Sequence, residues 1–92
     1  MIAGVRVVVS GRVQGVGYRY FVRDVALRLG VAGWVRNNPD GTVSVVAEGE
    51  RDTLEKFLGE IRARNDPFIR VTDMSVEWTD ATHQVRGFEI RR

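Results

Sequence analysis

Apolar residues recur along this chain with two different periods, and the changes of period mark its elements. Val5 to Val9 is nearly all valine, the β-branched enrichment of a strand. From Tyr20 to Leu29, the residues Phe21, Val22, Val25, Ala26 and Leu29 fall at helical spacing, and Gly30 follows as a predicted C-cap. "VAGWVRN", Val31 to Asn37, reads as a second strand. "NPDG", Asn38 to Gly41, is a strong turn signal, and "TVSVVAE" after it reads as a third strand, so the two strands form a hairpin. Asp52 and Glu55 have capping-box spacing. Leu54, Phe57, Leu58 and Ile61 then predict a second amphipathic helix, which "NDP" closes because proline bars continuation. "IRVTDMSVEW" reads as a fourth strand. Its apolar phase shifts between Val71 and Met74, which predicts a bulge or a late start near Asp73. "RGFEIRR" closes the chain as a short strand with Phe88 and Ile90 on one face.

The element order is β-α-β-β-α-β with a short fifth strand. It predicts an α+β fold of the ferredoxin-like kind, an antiparallel sheet with both helices on one face. A length of 92 residues points to one domain spanning residues 1–92, able to bury a single core with little margin. That fold hosts many unrelated activities, so function must come from the residues of a site.

Composition narrows the classes. Apolar content of 43% with 28% charged residues is the profile of a soluble globular chain. The absence of cysteine excludes disulfide and thiolate chemistry. No apolar run approaches the roughly 20 residues of a membrane span, and no signal-peptide pattern opens the chain. A cytoplasmic protein without a membrane partner is expected. The net charge is only +2, with thirteen arginines against the single lysine Lys56. These cations are scattered along the sequence apart from Arg91-Arg92, whereas a nucleic-acid footprint needs a dense stripe. No nucleic-acid partner is expected.

One stretch carries chemistry. "GRVQGVGYRYF", Gly11 to Phe21, joins the first strand to the first helix. Backbone N–H groups at a helix start have no intrahelical partner and carry partial positive charge. Gly15 and Gly17, alternating with Val16 and Tyr18, suit a loop whose N–H groups converge on an anion. Arg19 adds a fork that can grip two phosphate oxygens. The stretch therefore reads as a site for a tetrahedral oxyanion, a terminal phosphoryl group above all. It matches neither the dinucleotide fingerprint nor the Walker pattern. The plain alternative is a tight turn with a solvated arginine.

"GRVQGVGYR", Gly11 to Arg19, resembles the signature of the acylphosphatase family, and "GWVRNNPDGTV", Gly33 to Val43, resembles its second motif. "EGERDTLEKFL" and "DPFIRVTDMSVEW" are similar to the family's second helix and fourth strand, so the likeness covers nearly the whole chain. The resemblance implies hydrolysis of acyl phosphates to carboxylate and inorganic phosphate, with no cofactor and no metal. It implies that Arg19 binds the phosphate together with the loop amides of Gln14, Gly15, Val16, Gly17 and Tyr18. It also implies that Asn37, after the Gly33-Trp34-Val35-Arg36 run, positions the attacking water. The next residue is often threonine in relatives and is Asn38 here. Asn37 is preferred because Asn38 leads into Pro39-Asp40-Gly41 and suits a turn. The expected partners are a small acyl phosphate and inorganic phosphate, and a monomer is expected.

Other residues fit structural roles. His83 reads as an exposed loop histidine, and Asp52, Asp66 and Asp73 as caps, turns or solvated positions. Trp34 and Trp78 read as strand packing. Tyr18 and Tyr20 either wall the pocket or pack on the helix face. A rival reading is a non-catalytic module. Arg86-Gly87-Phe88 resembles the start of an RNA-binding strand signature, without its second aromatic. A domain that keeps an anion site inside a larger maturation protein is another. The chain ends just after the domain, which is expected of a stand-alone enzyme.

Overall fold

Val5, Val7 and Val9 are buried on one side of their strand, while Arg6 and Val8 face the other side and are exposed. This alternation sets the layers of the molecule: one side of a sheet carries helices and the core, and the other side is open. The computed structural model describes residues 1–92. Its elements are β1 (Ile2–Arg12), α1 (Tyr18–Leu29), β2 (Ala32–Asn37), β3 (Val43–Glu50), α2 (Arg51–Glu60), β4 (Arg70–Thr79) and β5 (Phe88–Arg91). The five strands form one sheet in the order β4-β1-β3-β2-β5. α1 lies over β2 and β5, and α2 lies over β1 and β3. Between them sit Tyr18, Leu54, Phe57 and Ile61, packed on the inward valines. This is the ferredoxin-like arrangement predicted from the element order.

Several local expectations hold. Gly30 caps α1 in the left-handed conformation. Opposite β1, the register of β4 jumps from Asp73 to Val71, so Thr72 is the extra residue of a bulge beside Asp73. Phe88 and Ile90 share the inward face of β5, with the Phe88 ring 6.1 Å from that of Phe57. That burial leaves Phe88 unable to stack a base, which removes the feature behind the RNA-binding reading.

Three expectations are corrected. The sheet is mixed rather than antiparallel, because β5 pairs parallel with β2. The segment after β4 crosses the sheet before β5 begins, so β5 runs alongside the outer strand in its own direction. α2 starts at Arg51 after Glu50, with no side-chain cap, so Asp52 and Glu55 form no capping box. Here β3 runs straight into the helix and leaves no room for a separate cap residue. The helix also stops at Glu60, well before Asn65-Asp66-Pro67, where Ala63 adopts a positive φ of 52°. A left-handed residue ends a helix as firmly as a proline does.

Gly33 is needed for close approach. It has φ 149°, and a Cβ there would overlap the carbonyl oxygen of Val46 on β3. Gly33→Ala is expected to lower unfolding stability by roughly 3 kcal/mol or more. Urea denaturation midpoints check this; a loss below about 1 kcal/mol would mean the strand shifts without cost.

Glu48 is buried on the open side of β3 and pins the segment that leads to β5. Its carboxylate accepts the Thr82 N–H and hydroxyl, both at 2.8 Å, and the His83 N–H at 3.1 Å. Burial pushes its pKa up, but these hydrogen bonds and the charge of His83 outweigh burial and hold it below the usual glutamate range. A lowered folded value stabilises the protein fully above the ordinary glutamate range, and that stability is lost as pH falls through the folded value. Tm is therefore expected to drop between about pH 5 and 3, and Glu48→Gln to flatten that drop. Thermal melts of both proteins across this range decide it.

Candidate active site

β1 and β2 run in the same direction, each antiparallel to β3 between them. Their C-terminal ends therefore lie at one edge of the sheet. Val43 pairs with Val9 on one side and with Asn37 on the other, so Asn37 stands about 10 Å from Val9, two strand spacings away. The loop from Val13 to Gly17 leaves β1 at this edge and enters α1, which packs on β2.

Gln14 fixes the loop in place. Its side-chain amide donates to the carbonyl oxygens of Asn38 and Thr42, both at 2.8 Å. The loop is thereby clamped to the turn between β2 and β3, beside Asn37. Gln14 is expected here for its backbone amide; the side-chain clamp has no local signature, because its acceptors lie far along the chain.

Gly15 and Gly17 have φ of 73° and 80°. A Cβ at either position would meet open space, so glycine is needed for conformation and not for room. Positive φ at alternate residues turns successive N–H groups inward, the geometry of an anion nest. No backbone N–H from Gln14 to Tyr20 donates to a backbone or side-chain acceptor of the chain; the first local bond is from the Phe21 N–H to the Gly17 carbonyl at 3.0 Å. No acidic residue lies in the first turn of α1. Arg19, half-buried in that turn, forms no ion pair. A row of free donors beside an unpaired guanidinium is an arrangement that can hold an anion.

The two asparagines differ sharply. The Asn38 side-chain amide donates to Thr42 Oγ1 at 2.9 Å and Ser44 Oγ at 2.8 Å. Its N–H also donates to the Thr42 carbonyl at 2.8 Å. Asn38 is thus consumed by the turn. Asn37 is the reverse: its Oδ1 is a buried side-chain acceptor with no partner, and no other such atom occurs in the protein. An orphaned acceptor at this edge is a place for a donor such as water.

Tyr18 contributes only its backbone to the loop. Its side chain is buried, and its hydroxyl donates to the Ile61 carbonyl at 2.7 Å, tying the start of α1 to the end of α2. Burial pushes the phenol far above its ordinary pKa, with Arg62 pulling it back, so it stays a neutral donor. Of the two alternatives for this residue, core packing holds. Tyr20 is 61% exposed and does not pack on the core.

The remaining candidates lie apart. His83 sits in the connection from β4 to β5, and β4 ends beside Gly4, at the opposite edge from the loop. Asp66 receives the Phe68 and Ile69 N–H groups and serves its own turn. Trp34 lies on the open side under the Arg36 and Arg91 guanidiniums, and Trp78 lies under Arg51. Five concavities of the surface are lined by neither Gln14 to Arg19 nor Asn37.

The chain is similar to known proteins over nearly its whole length. The acylphosphatase family model matches residues 5–90. An acylphosphatase of Pelotomaculum thermopropionicum is 48% identical over 88 residues, covering 96% of this chain and 95% of the relative. The crystal structure of acylphosphatase from Bacillus subtilis superposes with a TM-score of 0.91 at 41% identity, covering all of both chains (100% each). Full-length HypF, in a phosphate- and nucleotide-bound form, contains a similar unit: TM-score 0.90, 28% identity, 100% of this chain and 12% of that one. With its family model spanning both motifs and its relatives matching end to end, the chain belongs to the acylphosphatase family.

Proposed function

We propose that Arg19 and the amides of Gln14 to Tyr18 hold the phosphoryl group of an acyl phosphate while Asn37 Oδ1 positions the water that attacks it. The reaction is that of the family: the carboxyl–phosphate bond is hydrolysed to a carboxylate and inorganic phosphate. The observation that carries the assignment of residues is the row of unpartnered N–H groups beside an unpaired arginine and an orphaned amide oxygen.

The chemistry needs few parts. Water oxygen attacks phosphorus, the bond to the acyl oxygen breaks, and its electron pair leaves on a carboxylate. A carboxylate of pKa near about 4 departs without a proton. Water's proton passes to a phosphate oxygen or to solvent, since asparagine is a poor base. The transition state is loose, so rate comes from alignment and from stabilising charge on the equatorial oxygens. The guanidinium and the nest supply that charge. No three His, Asp or Glu side chains converge to hold a metal ion, and the proposal assigns none a role.

We also assign the chain a single domain working as a cytoplasmic monomer on a small soluble substrate. No helix is long and apolar enough to cross a membrane. The test is phosphate release from a model acyl phosphate in the presence of chelator. Undiminished turnover is expected, with a rate nearly level across neutral pH because no step uses a titrating base. Activity restored only by added metal, or a steep dependence near the histidine range, would refute the proposal.

A further inference from the structure

We infer that an arginine-lined cavity beside the phosphate loop is a subsite for the acyl half of the substrate, selecting acyl phosphates that carry a second, remote negative charge. The inference rests on the acyl phosphate hydrolysis proposed above.

The cavity, of about 460 Å³, opens where the end of β1 meets the segment between α2 and β4. Arg12, Arg62, Arg64 and Arg70 stand in its wall. None of them forms an ion pair. The one acid there, Asp66, is occupied by the Phe68 and Ile69 N–H groups at 2.8 and 3.0 Å. Phe68, 69% exposed, adds an apolar wall. Four guanidiniums around one carboxylate leave an excess of positive charge, and a bound anion relieves their repulsion. Guanidiniums beside an apolar surface fit a short carbon chain that ends in a carboxylate or phosphate.

The cavity is tethered to both ends of the phosphate loop. Arg12 precedes Gln14 by two residues and pairs with Arg70 across the β1–β4 register. At ~3.6 Å per residue, chain reach alone keeps Arg12 within ~11 Å of Gly15. On the other side, Arg62 follows Ile61, whose carbonyl accepts the Tyr18 hydroxyl next to Arg19. These tethers keep the cavity close to the nest, and the inference places the acyl chain across the gap between them.

The experiment compares succinyl phosphate with butyryl phosphate, which have equal chain length and differ by a terminal carboxylate. The parent protein is expected to favour succinyl phosphate in kcat/KM by about 10-fold at low salt, less as ionic strength rises. Replacing both Arg64→Gln and Arg70→Gln should bring that ratio within about 2-fold of unity while butyryl phosphate turnover holds. Arg64→Lys with Arg70→Lys should keep most of the preference. A ratio near one in the parent, or one unchanged by the glutamine pair, overturns the subsite while leaving the hydrolytic reading intact. Failure of the parent to hydrolyse either compound overturns both. Displacement of the preference by a short single-stranded oligonucleotide at micromolar concentration would give the cavity to polyanions and overturn the inference.

Discussion

Arg19→Ala is expected to lower kcat/KM for an acyl phosphate by about 10³–10⁴-fold. Arg19 is the one cation in the first turn of α1, no carboxylate neutralises it, and it borders a row of unpartnered amides. Its charge is not spent on an ion pair of the chain and is available to an anion held in the nest. Removing it forfeits the charge stabilisation that the proposed mechanism needs on the equatorial phosphoryl oxygens. Arg19→Lys should recover little, because an ammonium offers a point charge where a planar fork spans two oxygens. The inhibition constant of inorganic phosphate should weaken in step with turnover, since product and substrate share the same hold. Thermal melts should stay close to the parent, as no ion pair or side-chain hydrogen bond of Arg19 is lost. An alanine variant within 10-fold of the parent would remove Arg19 from the reaction.

Asn37→Ala carries the second largest expected effect, a fall in kcat of about 10³-fold with phosphate affinity changed by less than about 3-fold. Losing turnover while keeping the anion is the signature of a group that touches the water and not the phosphoryl oxygens. Stability should hold or rise slightly, because the variant removes a buried acceptor that has no partner. Asn38→Ala should behave in the opposite way. It deletes bonds to Thr42 and Ser44 and loosens the turn on which Gln14 is clamped. Its main cost should be about 1–2 kcal/mol of stability, with a smaller loss of rate. If Asn38→Ala is inert as an enzyme but fully stable, while Asn37→Ala turns over normally, the two roles are reversed.

Much of this molecule could be read from short stretches of chain. The valines of β1, the stripe of α1 and its Gly30 cap are local matters of side-chain period and backbone conformation. The bulge beside Asp73 was legible because an inserted residue shifts the apolar phase. The unpartnered N–H groups of the loop were legible too, since glycine spacing and a nearby helix start determine which of them lack acceptors. Other features depend on which strands become neighbours, and no local period encodes that. The parallel pairing of β5 with β2 came from packing, and α2 ends before its proline where Ala63 turns left-handed. Asn37 and Asn38 are adjacent and chemically alike; only the Thr42 and Ser44 oxygens brought near by the hairpin separate them. The arginines illustrate the same division. They appear scattered in one dimension, yet β1 pairing with β4 and the turn after α2 gather Arg12, Arg62, Arg64 and Arg70 around one cavity. Secondary structure follows from interactions a few residues long, whereas charge clusters and clamps form between residues the chain keeps far apart until the sheet order joins them.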